Sequence, residues 1–240
     1  QLIYGILFSL LLLTGINPLH AEETRKDTPT KAKELSEAEQ RKFDYFFFEG
    51  LNLKTAGKFD AAFDAFNHCM AIESTASPVL YELSSFYVQM NRPEKAVEML
   101  QRAVANSTNN FTYRMALATI SRNLGMYGEA AEEYEKLVKA FPGKPELNYY
   151  LAEALTQEGE TGKAIDAYNA LESSIGMNEA LSMKKYKLYN QLEQSDAAFN
   201  EIEKLAIKYP MEARYQIILG DLHLEKNDTI KARAYYQKAH

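Results

Sequence analysis

The chain has 240 residues, 46% of them apolar and 25% charged, which are the proportions of a folded protein and not of a disordered one. Its net charge of −6 gives it no general attraction for nucleic-acid phosphates. A single cysteine, Cys69, excludes an internal disulfide and a cysteine-built metal site.

The first element in the chain is the apolar run LIYGILFSLLLLTGI at residues 2–16. It is shorter than the roughly 20 residues of a spanning helix and suits the roughly 7–15-residue core of a signal peptide. Asn17-Pro18 then breaks the helix, and Ala21 offers a small residue for cleavage before Glu22-Glu23. Leu19 stands where a small residue is preferred, and no basic residue precedes the run. Residues 1–21 are therefore read as a signal peptide, with an uncleaved N-terminal anchor as the alternative. Both readings place the rest of the chain in an extracytoplasmic space, periplasmic or secreted, and membrane-anchored if the segment is kept. Residues 22–42 form a charged tether and a leading helix, and Ser36 with Glu39 predicts a capping box at the helix start.

From residue 43 the chain lines up with itself at a shift of 34 residues. The frames are 43–76, 77–110, 111–144, 145–178, 179–212 and 213–240, the last incomplete. The twentieth position of each is Ala62, Ala96, Ala130, Ala164, Ala198 and Ala232. The eighth is Gly50, Ser84, Ala118, Ala152, Tyr186 and Gly220, and the twenty-fourth is Phe66, Leu100, Tyr134, Tyr168, Ile202 and Tyr236. Compact residues at eight and twenty let two antiparallel helices approach closely. A bulky residue at twenty-four then fills the gap to the next hairpin. Positions 20, 24 and 27 share one helix face. Turn residues stand at the fifteenth position: Gly57, Asn91, Gly125, Gly159, Glu193 and Asn227. Pro93 and Pro145 sit near helix starts, and Asn227 and Ser195 are expected N-caps. The first helix of the fifth frame departs from the pattern, with Lys185 and Tyr186 in place of a large apolar and a small residue, and looser packing or an altered angle is expected there.

This pattern resembles the tetratricopeptide repeat family over residues 43–240. The third frame carries it best, with Leu117, Leu124-Gly125-Met126-Tyr127, Ala130, Tyr134 and Phe141-Pro142. The family's Trp at the fourth position is absent. A 35-residue RNA-binding helical repeat would drift by one residue per frame, which six alanines in phase exclude. The resemblance implies an all-α fold, a right-handed α-solenoid of antiparallel hairpins whose first helices line a concave groove. It implies a protein-binding scaffold or adaptor.

The resemblance places groove-facing residues at about positions two, five, nine, twelve and thirteen. The fifth position reads Phe47, Tyr81, Met115, Tyr149, Met183 and Ile217, an apolar stripe suited to an adaptable protein or peptide partner. The alternative is that this row packs against the neighbouring hairpin. Gln89, Asn123 and Gln157 flank it at the thirteenth position, and Lys54, Arg122 and Lys187 are its basic candidates, a thin anion site at best. The Lys and Asn pairing that holds a terminal carboxylate in some relatives is absent. No glycine-rich phosphate loop, His-Glu-x-x-His or nucleophile elbow occurs. His68 and Cys69 are adjacent, so on a helix they point apart. No enzymatic activity, cofactor, metal, nucleic acid or small-molecule substrate is expected. Three functional readings stand: an envelope or secreted adaptor, the docking or regulatory half of a longer chain whose catalytic or surface-binding domain follows residue 240, and self-association through the open C-terminal repeat.

Overall fold

A computed structural model describes residues 34–239. The apolar run at 2–16 with its cleavage site, the tether at 22–33 and His240 lie outside the described residues. Twelve helices and no strand are found among the described residues. They pair in chain order as α1 (Glu37–Thr55) with α2 (Phe59–Ile72), α3 (Ser77–Gln89) with α4 (Pro93–Asn106), and α5 (Phe111–Asn123) with α6 (Tyr127–Ala140). They continue as α7 (Glu146–Glu158) with α8 (Thr161–Ile175), α9 (Glu179–Gln191) with α10 (Ser195–Lys208), and α11 (Ala213–Glu225) with α12 (Thr229–Lys238). The fold is an α-solenoid of helical hairpins.

Local chemistry sets the helix ends. The Ser36 hydroxyl accepts from the Glu39 N–H, and the Glu39 carboxylate accepts from the Ser36 N–H at 2.9 Å, which closes the capping box. Pro93 opens α4, where its missing N–H leaves nothing unsatisfied. Each hairpin turns at its fifteenth-position residue in the left-handed region: Gly57, Gly125 and Gly159, and also Asn91, Glu193 and Asn227. The following N–H then donates back to a carbonyl five residues earlier, as Arg92 does to Tyr87 and Gln194 to Tyr189, at 2.8 and 2.9 Å. This corrects two expected caps. Asn227 is the left-handed turn residue, and Asp228 beside it caps α12 by accepting from the Lys231 N–H. Ser195 is the first residue of α10, preceded by Gln194, whose side chain makes no capping bond.

Packing follows the repeat. All six alanines at the twentieth position are buried, so the helices of each hairpin cross closely there. Gly50 makes room for the Phe66 ring: a Cβ at Gly50 would lie 2.9 Å from Phe66 Cε1. Gly220 does the same for Tyr236. One apolar cluster runs from Ala118 in α5 to Leu188 in α9, and another joins α10 and α11 through Ile202, Leu205 and Leu219.

Between these clusters the packing changes character. At the seventh position, Leu83, Leu117, Leu151 and Leu219 are buried, but the fifth hairpin has Lys185, which is 0% exposed. Its ammonium reaches Glu172 at 2.7 Å and Asn169 at 3.1 Å on α8, and Glu201 at 3.0 Å on α10. Glu201 also accepts from Lys204 at 2.9 Å. The site expected to be looser is a closed ionic cluster tying three helices together.

Two stability predictions follow from these sites. Lys185→Ala takes the buried ammonium from Glu172 and leaves Glu201 with Lys204 alone, so it should cost about 3 kcal/mol, the low end for breaking a buried pair. Urea unfolding followed by helical circular dichroism measures this, and a loss under about 1 kcal/mol would show the cluster to be incidental. Conversely, Glu193 holds a left-handed turn at φ 56°, which costs a side-chain-bearing residue roughly 1–2 kcal/mol. Glu193→Gly should therefore raise stability by about 1 kcal/mol, seen as a higher midpoint in the same titration.

Candidate functional site

The odd-numbered helices touch their odd-numbered neighbours along one face. Lys54 on α1 pairs with Glu82 on α3 at 2.6 Å, the Tyr81 and Tyr113 rings of α3 and α5 lie 5.3 Å apart, and Arg214 on α11 reaches Glu179 on α9 at 2.9 Å. A cleft of about 510 Å³ opens on this face between α3 and α5, within the range of about 300–1,000 Å³ common to ligand pockets. Its walls include Tyr81, Val88, Leu100, Phe111, Met115 and Ile120. Polar groups at it are Lys54, Ser84, Ser85, Thr112, Thr119 and Asn123. Burial, and then the nearby Glu82 carboxylate, raise the Tyr113 phenol above its ordinary value, so it stays a neutral donor.

The candidate residues divide by environment. Tyr81, Met115, Lys54 and Asn123 converge on the cleft. Phe47 is half-buried, stacked on Phe43 at 6.1 Å and edge-on to Phe66. Tyr149 is half-buried against Tyr150 and Tyr168, with the Lys184 ammonium 5.5 Å above its ring. Met183 packs on the α10–α11 cluster, and Ile217 is 45% exposed. Gln89, Gln157 and Lys187 are exposed on their helices and stand outside the cleft, and Arg122 is half-buried beyond it. Lys54 differs from expectation as an anion candidate, because Glu82 already neutralises it.

A second network closes the face further along. The Tyr168 hydroxyl donates to Glu153, which also accepts from Lys184 at 2.7 Å. Burial first, then Glu153, push the Tyr168 phenol well above its usual range. Burial acts to lower the Lys184 ammonium, but the Glu153 bond and charge, together with Tyr149, outweigh it and the group is raised. Tyr236 repeats the contact with Asp221 at 2.7 Å. In the third hairpin the ninth position is Thr119, and the buried Tyr134 hydroxyl has no hydrogen-bond partner among the described residues.

Two tetratricopeptide repeat family models match the chain, one at residues 53–120 and the other at 115–178 and 187–240. The chain belongs to the tetratricopeptide repeat family. The matches omit residues 179–186 within that span, the stretch of α9 that carries Lys185. Among solved structures, the array resembles a crystal structure of MamA, with a TM-score of 0.51 and 20% identity, over 65% of this chain and 91% of that one. It also resembles YrrB, titled a TPR protein with an unusual peptide-binding site, with a TM-score of 0.51 and 16% identity over 73% and 90% of the two chains. A curated relative is the human protein O-mannosyl-transferase TMTC1, 26% identical over 165 residues, which are 67% of this chain but 19% of that protein.

Of the cleft-lining residues, Ser85 and Thr119 stand at the ninth position that the resemblance turns toward the groove, whereas Leu100, Ser84 and Phe111 were not anticipated as site residues. One signal in the sequence points to them: Leu100 is aliphatic where four other hairpins carry a ring. Among the described residues, no group of three or more His, Cys, Asp or Glu side chains is placed to hold a metal, and no helix is long and apolar enough to cross a membrane. Cys69 is buried and His68 exposed, stacked on Phe46 at 4.6 Å. Burial pushes the Cys69 thiol up to about 11, so at pH 8 it stays protonated and a poor nucleophile. A disulfide reagent at pH 8 should therefore leave the folded chain unmodified and titrate its one thiol only in denaturant. Rapid labelling of the folded chain would contradict this burial.

Proposed function

We propose that this array is a non-enzymatic adaptor that binds a protein or peptide segment along its odd-helix face. The observation that carries the reading is the open cleft beside Tyr81 and Met115, set in a face whose fifth-position residues are all half-buried or exposed. Apolar and adaptable side chains of this kind, flanked by amides such as Gln89 and Asn123, suit a peptide whose side chains find pockets while its main chain meets polar groups. Support of a coarser kind comes from the family and from YrrB, whose title gives that protein a peptide-binding site. We place the adaptor in an extracytoplasmic space on the strength of the apolar run at 2–16. Cell fractionation of the tagged protein tests the location, and recovery in the cytoplasm alone would reject it.

Crosslinking and mass spectrometry of the tagged chain in its own cells identifies the partner. With that partner, Tyr81→Ala should weaken binding at least tenfold, about 1.4 kcal/mol. Tyr81 and Tyr149 both pack on buried clusters, so each alanine variant should also lower the thermal midpoint, and binding is compared at a temperature where both variants are folded. A Tyr81→Ala variant that loses stability yet captures the partner as before would sink the groove reading.

A second reading is favoured by the relative's length. The matched stretch is a small part of the human transferase, so this array is alternatively the docking part of a longer protein. An open reading frame that continues past residue 240 into a catalytic domain supports that reading, and a stop codon there rejects it.

A further inference from the structure

Hairpin two, which contributes Tyr81 to the cleft, differs from the others in sequence. At the twenty-fourth position, hairpins one, three, four and six carry the rings of Phe66, Tyr134, Tyr168 and Tyr236, facing compact residues at the eighth position. The fifth hairpin carries Ile202, but its eighth position supplies the ring of Tyr186. Hairpin two has no ring at either place: Leu100 faces Ser84, and both line the cleft. Both are themselves buried, 3% and 5% exposed, and line the cleft from its inner side.

The charge around that space limits what enters it. Every lining side chain but Lys54 is uncharged, and the Lys54 ammonium is held by Glu82 at 2.6 Å. A carboxylate would have to displace Glu82, and a cation would lose its water against Val88, Leu100 and Ile120 without finding an unpaired carboxylate. The Ser84 and Ser85 hydroxyls are turned back on their own helix, donating to the Tyr81 and Glu82 carbonyls at 2.6 and 2.7 Å. The inner wall therefore behaves as apolar. Asn123 at the end of α5 is exposed and offers amide donors and an acceptor at the rim.

We propose that this cleft is the anchor subsite of the array and seats one large uncharged side chain, of the leucine, methionine or phenylalanine class, from an extended segment of a partner protein. The segment's main chain passes Asn123 outside the cleft. This rests on the scaffold reading above and specifies where on the face recognition is concentrated: at hairpins two and three, whose side chains line the cleft.

The test uses the purified full chain and a phage-displayed library of random decapeptides, with affinities of the selected peptides read by fluorescence anisotropy. Leu100→Phe supplies a ring at the position where hairpins three and four carry Tyr134 and Tyr168 together with an eighth-position residue that has a Cβ, so it should fill the cleft in a fold-compatible way. The expected result is a set of peptides sharing one large neutral apolar residue, binding Leu100→Phe at least tenfold more weakly than the parent. If Leu100→Phe fails to fold, Val88→Glu, at a rim residue that is 51% exposed, places a charge at the cleft and should weaken binding likewise. Peptides that bind both variants as well as the parent, or that select for charge, would overturn the subsite but leave the scaffold reading standing. Failure to select any peptide would overturn both. Sedimentation showing that the parent self-associates and Leu100→Phe does not would identify the occupant as a second copy of the chain and reject the partner segment.

Discussion

Everything in this solenoid depends on how closely the two helices of a hairpin cross at the twentieth-position alanine. Ala62, Ala96, Ala130, Ala164 and Ala198 are fully buried, so a single extra methylene at any of them would have to push the helices apart. Close crossing positions the second helix so that its twenty-fourth residue lies over the eighth residue of the first. Gly50 beneath Phe66 and Gly220 beneath Tyr236 show the limit of that approach, since neither glycine has room for a Cβ without movement of the ring. The turn at the fifteenth position serves the same geometry. Its left-handed residue reverses the chain in few residues and satisfies the helix-end carbonyls.

Where one position departs from the pattern, another answers it nearby. In the fifth hairpin the leucine of the seventh position is replaced by Lys185, and Glu172 and Glu201 on the flanking helices answer its charge. Apolar packing is non-directional, whereas this cluster requires an ammonium within hydrogen-bond reach of α8 and α10 together. The fifth hairpin is thereby fixed by geometry more than by burial. A buried cluster of this kind is weak evidence of added stability compared with leucine, because taking the charges out of water is costly. Its physical effect is to select one arrangement of α8, α9 and α10. Residues 179–186, the stretch missing from the family matches, fall on this helix and include Lys185.

The helical-hairpin architecture was legible in the sequence because it depends on residues repeated at a fixed spacing. Six alanines, six turn residues and a run of rings report the same short-range geometry, so each one supports the others. Errors arose where a single residue had to be placed. Asn227 and Asp228 are both good caps by residue type, and only the left-handed turn at the first of them decides that the second caps α12. Lys185 was visible as an exception, but its partners lie 13 and 16 residues away on other helices, and no local pattern connects them. The candidate site was legible in part. The fifth-position row was read as one stripe, and the structure gives its members different surroundings, with Phe47 stacked in the first hairpin's aromatic cluster and Tyr81 and Met115 beside open space.

That difference in surroundings follows the hairpin and not the row: Tyr81 and Met115 border the cleft together with Leu100, although the third hairpin, which carries Met115, has its own ring at Tyr134. The rings also account for two carboxylates on this face. In the fourth and sixth hairpins the ring is a tyrosine whose hydroxyl reaches the ninth position, and there Glu153 and Asp221 accept from it. Each carboxylate accepts from a phenol, buried at Tyr168 and half-buried at Tyr236, so their negative charge is partly engaged before any ligand arrives. In the second hairpin there is no phenol to satisfy, and the ninth position is Ser85, bonded to its own helix. Charge and cavity are thus separated along the face: the charged ninth positions accompany filled hairpins, and the open one is neutral.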